Sequence, residues 1–254
     1  MKLSKRLLLV ATAGLAVAAC STVAAPPTAD LTTVLSDPLR PAADVARDAD
    51  RKPIELMQFA GVRPGMKIAE LAPGGGYFTR LLTGAVGPGG RVYAISSRVS
   101  PALQELAAQR PNLAVTVAQP GTIPVTEPVD IVWTTLNYHD FKNNKTPSGG
   151  DLAQALNAEA FRALKPGGIY LIVDHQAAAG AGASQTSTLH RIEDAVVRSE
   201  VEAAGFKLDA SSDLLQHPAD DHGQGAGSRN PRKNGPVRPS IPQTALSNSA
   251  GDIW

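Results

Sequence analysis

The stretch ELAPGGGYFTRLL, residues 70–82, decides how the chain is read. The apolar run MKIAELA (66–72) arrives as a strand and breaks on Pro73 and the consecutive glycines Gly74, Gly75 and Gly76. It then continues as GYFTRLLTGAVG (76–87), with helical spacing and a Gly-Pro-Gly-Gly stop behind it. A strand feeding a bare-backbone corner and then a helix is the opening unit of an α/β sheet, where ligands bind beyond the carboxyl ends of the strands. Glycine loses more backbone entropy on folding than any other residue, so three in a row exceed what a turn requires. The corner predicts a ligand lying against the main chain.

Outward from this corner the chain keeps alternating. PAADVARDADRKPIELMQFAGV (41–62) has helical spacing, divided at Pro53. RVYAIS (91–96), NLAVTVAQ (112–119), VDIVWTTLN (129–137), IYLIVDH (169–175) and FKLDASSDLL (206–215) read as strands. SPALQELAAQR (100–110), DLAQALNAEAFRALKPGG (151–168) and RIEDAVVRSEVEAAG (191–205) read as helices. Short apolar strands separated by helices predict a doubly wound, Rossmann-like α/β fold with a parallel sheet covered on both faces.

The 254 residues are 43% hydrophobic with a net charge of +1. That suffices for one packed domain, and it leaves no electrostatic footprint for nucleic acid. Residues 1–20, MKLSKRLLLVATAGLAVAAC, begin with Lys2, Lys5 and Arg6 and run through an apolar stretch into small residues. This is the layout of a secretory signal, too short for a permanent span. The single cysteine of the chain, Cys20, stands in VAAC, which resembles the bacterial lipobox. The resemblance implies lipidation of Cys20 and an exported, periplasmic protein attached to the membrane; the alternative is an ordinary signal peptide. Residues 21–40, rich in Ala, Pro, Thr and Ser, read as a flexible tether to a domain over 41–221.

Two ligands compete for the corner. A dinucleotide site asks for G-x-G-x-x-G and an acid about 20 residues later. Here Thr79 takes the third glycine position, and the second strand ends in Ser96 and Ser97. S-adenosylmethionine carries no phosphate and tolerates an acid before the loop, so Glu70 can accept from its ammonium. Taken together, ELAPGGGYFTRLL, VDIVWTTLN and FRALKPGGIYLIVDH resemble the class I S-adenosylmethionine-dependent methyltransferases over residues 54–215. WTTLNYHDF, VDHQAAAG, LHRIEDAVVRSEVEAAGFKL and HPADDH resemble a group of exported bacterial proteins of that type. The resemblance implies S-adenosylmethionine as cofactor and methyl transfer to a small-molecule acceptor. It implies cofactor contacts from Glu70, Ala72, Pro73, Gly74, Gly75, Gly76, Ser96, Gln119 and Asn137. Two departures stand out: Ala72 replaces the motif's first glycine, and no acid follows the second strand to hold a ribose. A serine there gives an ordinary hydrogen bond, about half as strong as a charge-assisted one, so weakened binding is expected.

For chemistry, His139 is a candidate base oriented by Asp140, with Asn137 or Tyr138 placing an acceptor, and His175 is a second candidate base. The alternative for 137–140 is a loop that merely closes the pocket. His190 and Arg191 read as pinning the following helix. Asp220, Asp221 and His222 read as a solvated turn, and no metal is assigned. Residues 222–254 turn to Gly, Pro, Ser and Asn, so the last antiparallel strand usual for the resembled family is expected to be missing. The expectation is a disordered tail or a shift of reading frame near His222. A one-base shift over Gly223 to Pro242 permits an ending with the strand-like DRFVLRF. A non-catalytic binding lipoprotein on the same fold is the rival function, because the cofactor is made in the cytoplasm. A dehydrogenase is disfavoured by Thr79 and Ser96.

Overall fold

The structure is a computed structural model that describes residues 31–223, residue 225 and, as backbone alone, 241–247. A 3-10 turn (Leu31–Ser36) leads into helices α1 (Ala42–Val45), α2 (Asp48–Arg51) and α3 (Pro53–Phe59). Pro53 opens α3, where a missing N–H leaves nothing unsatisfied, so the helical segment divides there as its sequence requires. Strands and helices then alternate: β1 (Lys67–Leu71), α4 (Tyr77–Val86), β2 (Arg91–Ser96), α5 (Pro101–Gln109) and β3 (Leu113–Val117). β4 (Val129–Thr135), α6 (Tyr138–Asn143), α7 (Leu152–Ala163), β5 (Leu164–Val173) and α8 (Asp194–Ala203) follow, then β6 (Lys207–Leu215) and β7 (Ile241–Ser247).

The sheet order is β3-β2-β1-β4-β5-β7-β6. β1 to β5 are mutually parallel, and β7 runs antiparallel between β5 and β6. Alternate residues of the central strands feed opposite faces, as the period of two demands. Ile131 and Trp133 of β4 pack with Leu56, Leu81 and Leu82 of α3 and α4. Val132 packs on the other side with Ala160 of α7 and Val201 of α8. Trp133, fully buried near the middle of the sheet, meets Phe78 of α4 at a ring separation of 5.2 Å.

Three expectations are corrected here. The first concerns the missing strand: residues 241–247 supply it, with Val173 opposite Gln243 and Leu215 opposite Ile241. IPQTALS carries no sustained apolar pattern, but the backbone groups of β5 and β6 facing the gap between them are satisfied by this segment. A disordered tail is therefore not the state of 241–247. Secondly, the tether is shorter than expected, because Leu31 and Val34 are buried against α4 and Arg110 pairs with Asp37. Thirdly, α7 stops at Ala163 and LKPGG opens β5 rather than closing the helix. Leu164 pairs Val129 and Ile169 pairs Ile131, so the segment between forms a bulge. Gly168 is needed there because a Cβ would meet the Lys165 carbonyl at 2.9 Å. The signal peptide, Cys20 and the first part of the tether lie outside the described residues, as do the segments flanking β7. Among the described residues no helix is long and apolar enough to cross a membrane.

Candidate functional site

The corner after β1 is built from unusual backbone. Ala72 sits at φ 52°, Gly74 at 58° and Gly76 at 84°, the last capping α4. Ala72 thus occupies a left-handed position that favours glycine and costs an alanine about 1–2 kcal/mol. Such strain concentrates at functional sites, and Leu136 (φ 62°) at the end of β4 repeats it across the rim. A Cβ added at Gly74 or Gly75 would meet nothing within 4 Å, whereas one at Gly76 would press on Arg80 and Leu103 at 3.3 Å. Gly76 serves the turn; Gly74 and Gly75 leave bare backbone facing open space.

That space is a cavity of about 230 Å³ lined by Arg47, Arg51, Glu70, Pro73, Gly74 and Gly75 among others. A second cavity, of about 460 Å³, includes Ser96, Ser97, Arg98, Gln119 and Asp140 in its wall. Leu71, Ala72 and Asn137 line both, so the two spaces meet over the end of β1. Asn137 ties the junction together, its Nδ2 donating to Thr135 O at 2.6 Å and to Ala72 O at 3.3 Å. Of the nine expected cofactor contacts, the corner thereby gathers eight around two joined cavities, and Gly76 shapes the turn behind them.

Glu70 is 3% exposed and accepts from Thr79 Oγ1 at 2.6 Å. The threonine in the third glycine position is therefore the partner of the acid. Burial pushes the Glu70 carboxyl up to about 7, against the opposing pull of the Thr79 hydrogen bond and the Arg80 charge. Arg80 in turn donates to Gly75 O at 2.8 Å and to Asp44 Oδ2 at 3.1 Å, fixing the corner to α1. Glu70 binds its proton more tightly folded than unfolded, so its contribution to stability is complete below about pH 4.5 and lost as pH rises through about 7. Glu70→Gln is expected to flatten the fall in unfolding free energy between those values; urea denaturation across the range checks it, and an unchanged slope would refute it.

Sequence reasoning missed the arginines of this site. Arg47 and Arg51 reach it from the first helices, and the Arg51 guanidinium lies 4.4 Å from the Tyr77 ring centroid. Their spacing of four in RDADR, on a helical segment, is the signal that could have found them.

The histidines are arranged differently from expectation. His139 is oriented by Asp174, not Asp140: its Nδ1 lies 2.6 Å from Asp174 Oδ1 and its backbone N donates to Oδ2 at 2.7 Å. Asp140 lies on the ring's other side, Oδ1 3.5 Å from Nε2. The cause is topology: β4 and β5 are neighbours, so the segment after β4 meets the carboxylate that ends β5. Burial opposes charge on His139, yet the hydrogen bond and charge of Asp174 and the charge of Asp140 together hold its pKa above the ordinary value. Burial dominates at His175 and pushes it down to about 4, making it a poor base at neutral pH. Its Nδ1 is buried without a hydrogen-bond partner among the described residues.

Residues 138–143 form α6 rather than a loop, and Tyr138 points away from the rim. Its hydroxyl donates to Glu200 at 2.9 Å and accepts from Asn157 at 2.8 Å, so it holds helices together and positions no acceptor. His190, at φ 54°, brings its ring to 5.3 Å from that of His139. Nor is Asp220 part of a solvated turn. It is buried and grips Arg191 bidentately, at 3.0 and 2.8 Å, while Arg191 also donates to Gln176 O.

No protein-family model and no curated protein sequence matches the chain. Solved structures do. An S-adenosylmethionine-dependent methyltransferase from Aquifex aeolicus is 17% identical, with a TM-score of 0.57 over 86% of this chain and 98% of its own. An O-methyltransferase from Thermotoga maritima dependent on the same cofactor is 14% identical, with a TM-score of 0.52 over 80% of this chain and 67% of its own. The [4+2]-cyclase SpnF is 16% identical, with a TM-score of 0.57 over 80% and 82%. At these identities the likeness establishes the fold, which is that of the class I methyltransferases.

Proposed function

We propose that the protein binds S-adenosylmethionine across the two joined cavities and transfers its methyl group to a small-molecule acceptor. The observation that carries this reading is the bare backbone of Gly74 and Gly75 between an acid, Glu70, and two arginines, Arg47 and Arg51. An amino-acid end bearing both an ammonium and a carboxylate matches those charges. The nucleoside end then suits the larger cavity, with Ser96 and Gln119 as polar partners. The sulfonium, when bound, supplies an activated methyl group, and the chain's task is alignment of the acceptor. A base is needed only for an acceptor with a proton to lose, and His139, held by Asp174, is the more basic candidate.

Calorimetric titration with S-adenosylmethionine and S-adenosylhomocysteine tests the site. Micromolar binding is expected, weakened at least about 100-fold in Gly75→Val, whose side chain enters the open space. No binding by a demonstrably folded protein refutes the reading. The same proposal includes export and lipidation at Cys20. Cys20→Ser is then expected to release the protein from the membrane fraction, and unchanged partitioning would contradict an anchor. Sequencing the gene across codons 222–254 tests the shifted frame near His222, which an intact frame refutes.

One observation favours the rival, a binding lipoprotein without catalysis: among the described residues Asp140 is the single carboxylate in the wall of the larger cavity, and none stands beside Ser96. The fold also carries a cyclase, and fold does not fix function. Glu70→Ala separates the two readings, since it removes the ammonium's partner and so weakens S-adenosylmethionine but need not affect another ligand.

A further inference from the structure

We propose that His139, Asp140 and His190 form a binding site for a divalent transition metal of the zinc type at the rim of the larger cavity. One ligand atom from each lies within 4.8 Å of the other two. His139 Nε2 is 3.5 Å and His190 Nδ1 is 3.7 Å from Asp140 Oδ1. Both separations are too long for good hydrogen bonds, so the three groups converge on a common space without satisfying one another. The three atoms thus surround a space that small side-chain adjustments bring to the roughly 2.0–2.2 Å of Zn–N and Zn–O bonds.

The surroundings of His139 are those of a metal ligand. Its Nδ1 faces the buried Asp174 at 2.6 Å, and this carboxylate leaves Nε2 as the ring nitrogen directed at the cluster. A ligating imidazole characteristically donates its other N–H to a carboxylate, which fixes the ring and raises its basicity. His139 is nearly buried, whereas the side chains of Asp140 and His190 are half exposed, so an ion has a route in from solvent. Two imidazoles and one carboxylate suit zinc or a similar borderline ion, not magnesium or calcium, which prefer oxygen throughout. Three protein ligands leave a fourth position, and with Nε2 on the ion His139 no longer has a free nitrogen, so its role as a base belongs to the metal-free protein. Because Asp140 also lines the larger cavity, that position is available to water or to an oxygen of a bound molecule. The cluster is not legible in the sequence because His190 is 51 positions from His139 and reaches it only through the turn before α8.

The test needs no methyl-group cofactor, so its outcome is independent of the function proposed above. The full chain, free of any added histidine tag and stripped with chelator, is titrated with Zn²⁺ calorimetrically and with Co²⁺ by visible absorption. One ion bound at micromolar concentration or tighter, with the intense absorption of four-coordinate cobalt, is expected. His190→Ala and Asp140→Asn should each weaken it at least about 10-fold, and His217→Gln should leave it unchanged. Both weakening substitutions are at half-exposed positions, and unaltered thermal unfolding of the metal-free variants verifies their fold. No uptake, or uptake of equal affinity in His190→Ala, overturns the site.

Discussion

Asp174→Ala is expected to lower the unfolding free energy by about 3–5 kcal/mol, because its buried hydrogen-bond partners are left unsatisfied. The carboxylate is 2% exposed and accepts three bonds: from His139 N and His175 N at 2.7 Å, and at the His139 ring at 2.6 Å. Removal strands two backbone N–H groups and an imidazole nitrogen in a site that water reaches poorly, each at about 1–3 kcal/mol. The total stays below the sum because the end of β5 can relax. Asp174→Asn preserves the volume but replaces one acceptor with a donor, so it should fall between the wild type and the alanine variant. Urea denaturation measures both. A loss under about 1 kcal/mol for the alanine variant would show that the pair contributes little to the fold.

Asp220→Ala should be comparably damaging, again by about 3–5 kcal/mol. The side chains of Arg191 and Asp220 are 2% and 0% exposed, and their two hydrogen bonds join the turn before α8 to the chain beyond β6. Truncation leaves a guanidinium buried without this carboxylate. The double variant Arg191→Met/Asp220→Ala is expected to recover much of the loss, because the desolvation of both charges goes with them. A double-mutant cycle reads the coupling directly, and additive single effects would refute it.

The parts of the molecule legible in the sequence are those whose physics is local. β1, β4 and β5 have largely apolar centres because both faces of the sheet are covered, and the corner at Gly74 and Gly75 stands out because bare backbone has no other signature. What escaped was set by juxtaposition. His139 meets Asp174 only because β4 and β5 are neighbours, and Arg191 meets Asp220 across a whole strand and helix. Asp140, next to His139 in sequence, drew the orienting role that belongs to a residue 35 positions away. β7 was invisible for a different reason: a strand inserted between two others is specified by the hydrogen-bonding slots awaiting it, and IPQTALS has little pattern of its own.

The position of β7 also sets a timetable. Among the described residues it is the last strand synthesised, yet it lies between β5 and β6, which are not neighbours in the sheet. Roughly 70 residues separate the end of β5 from the end of β7. At about 5–20 residues per second, the ribosome needs several seconds to deliver them. Throughout that interval the nascent chain carries β5 with an open edge, and β6 has no partner to dock on. The edge strand β6 is thus made before the interior strand that joins it to the sheet, and a chain interrupted before residue 247 remains open to chaperones and proteases.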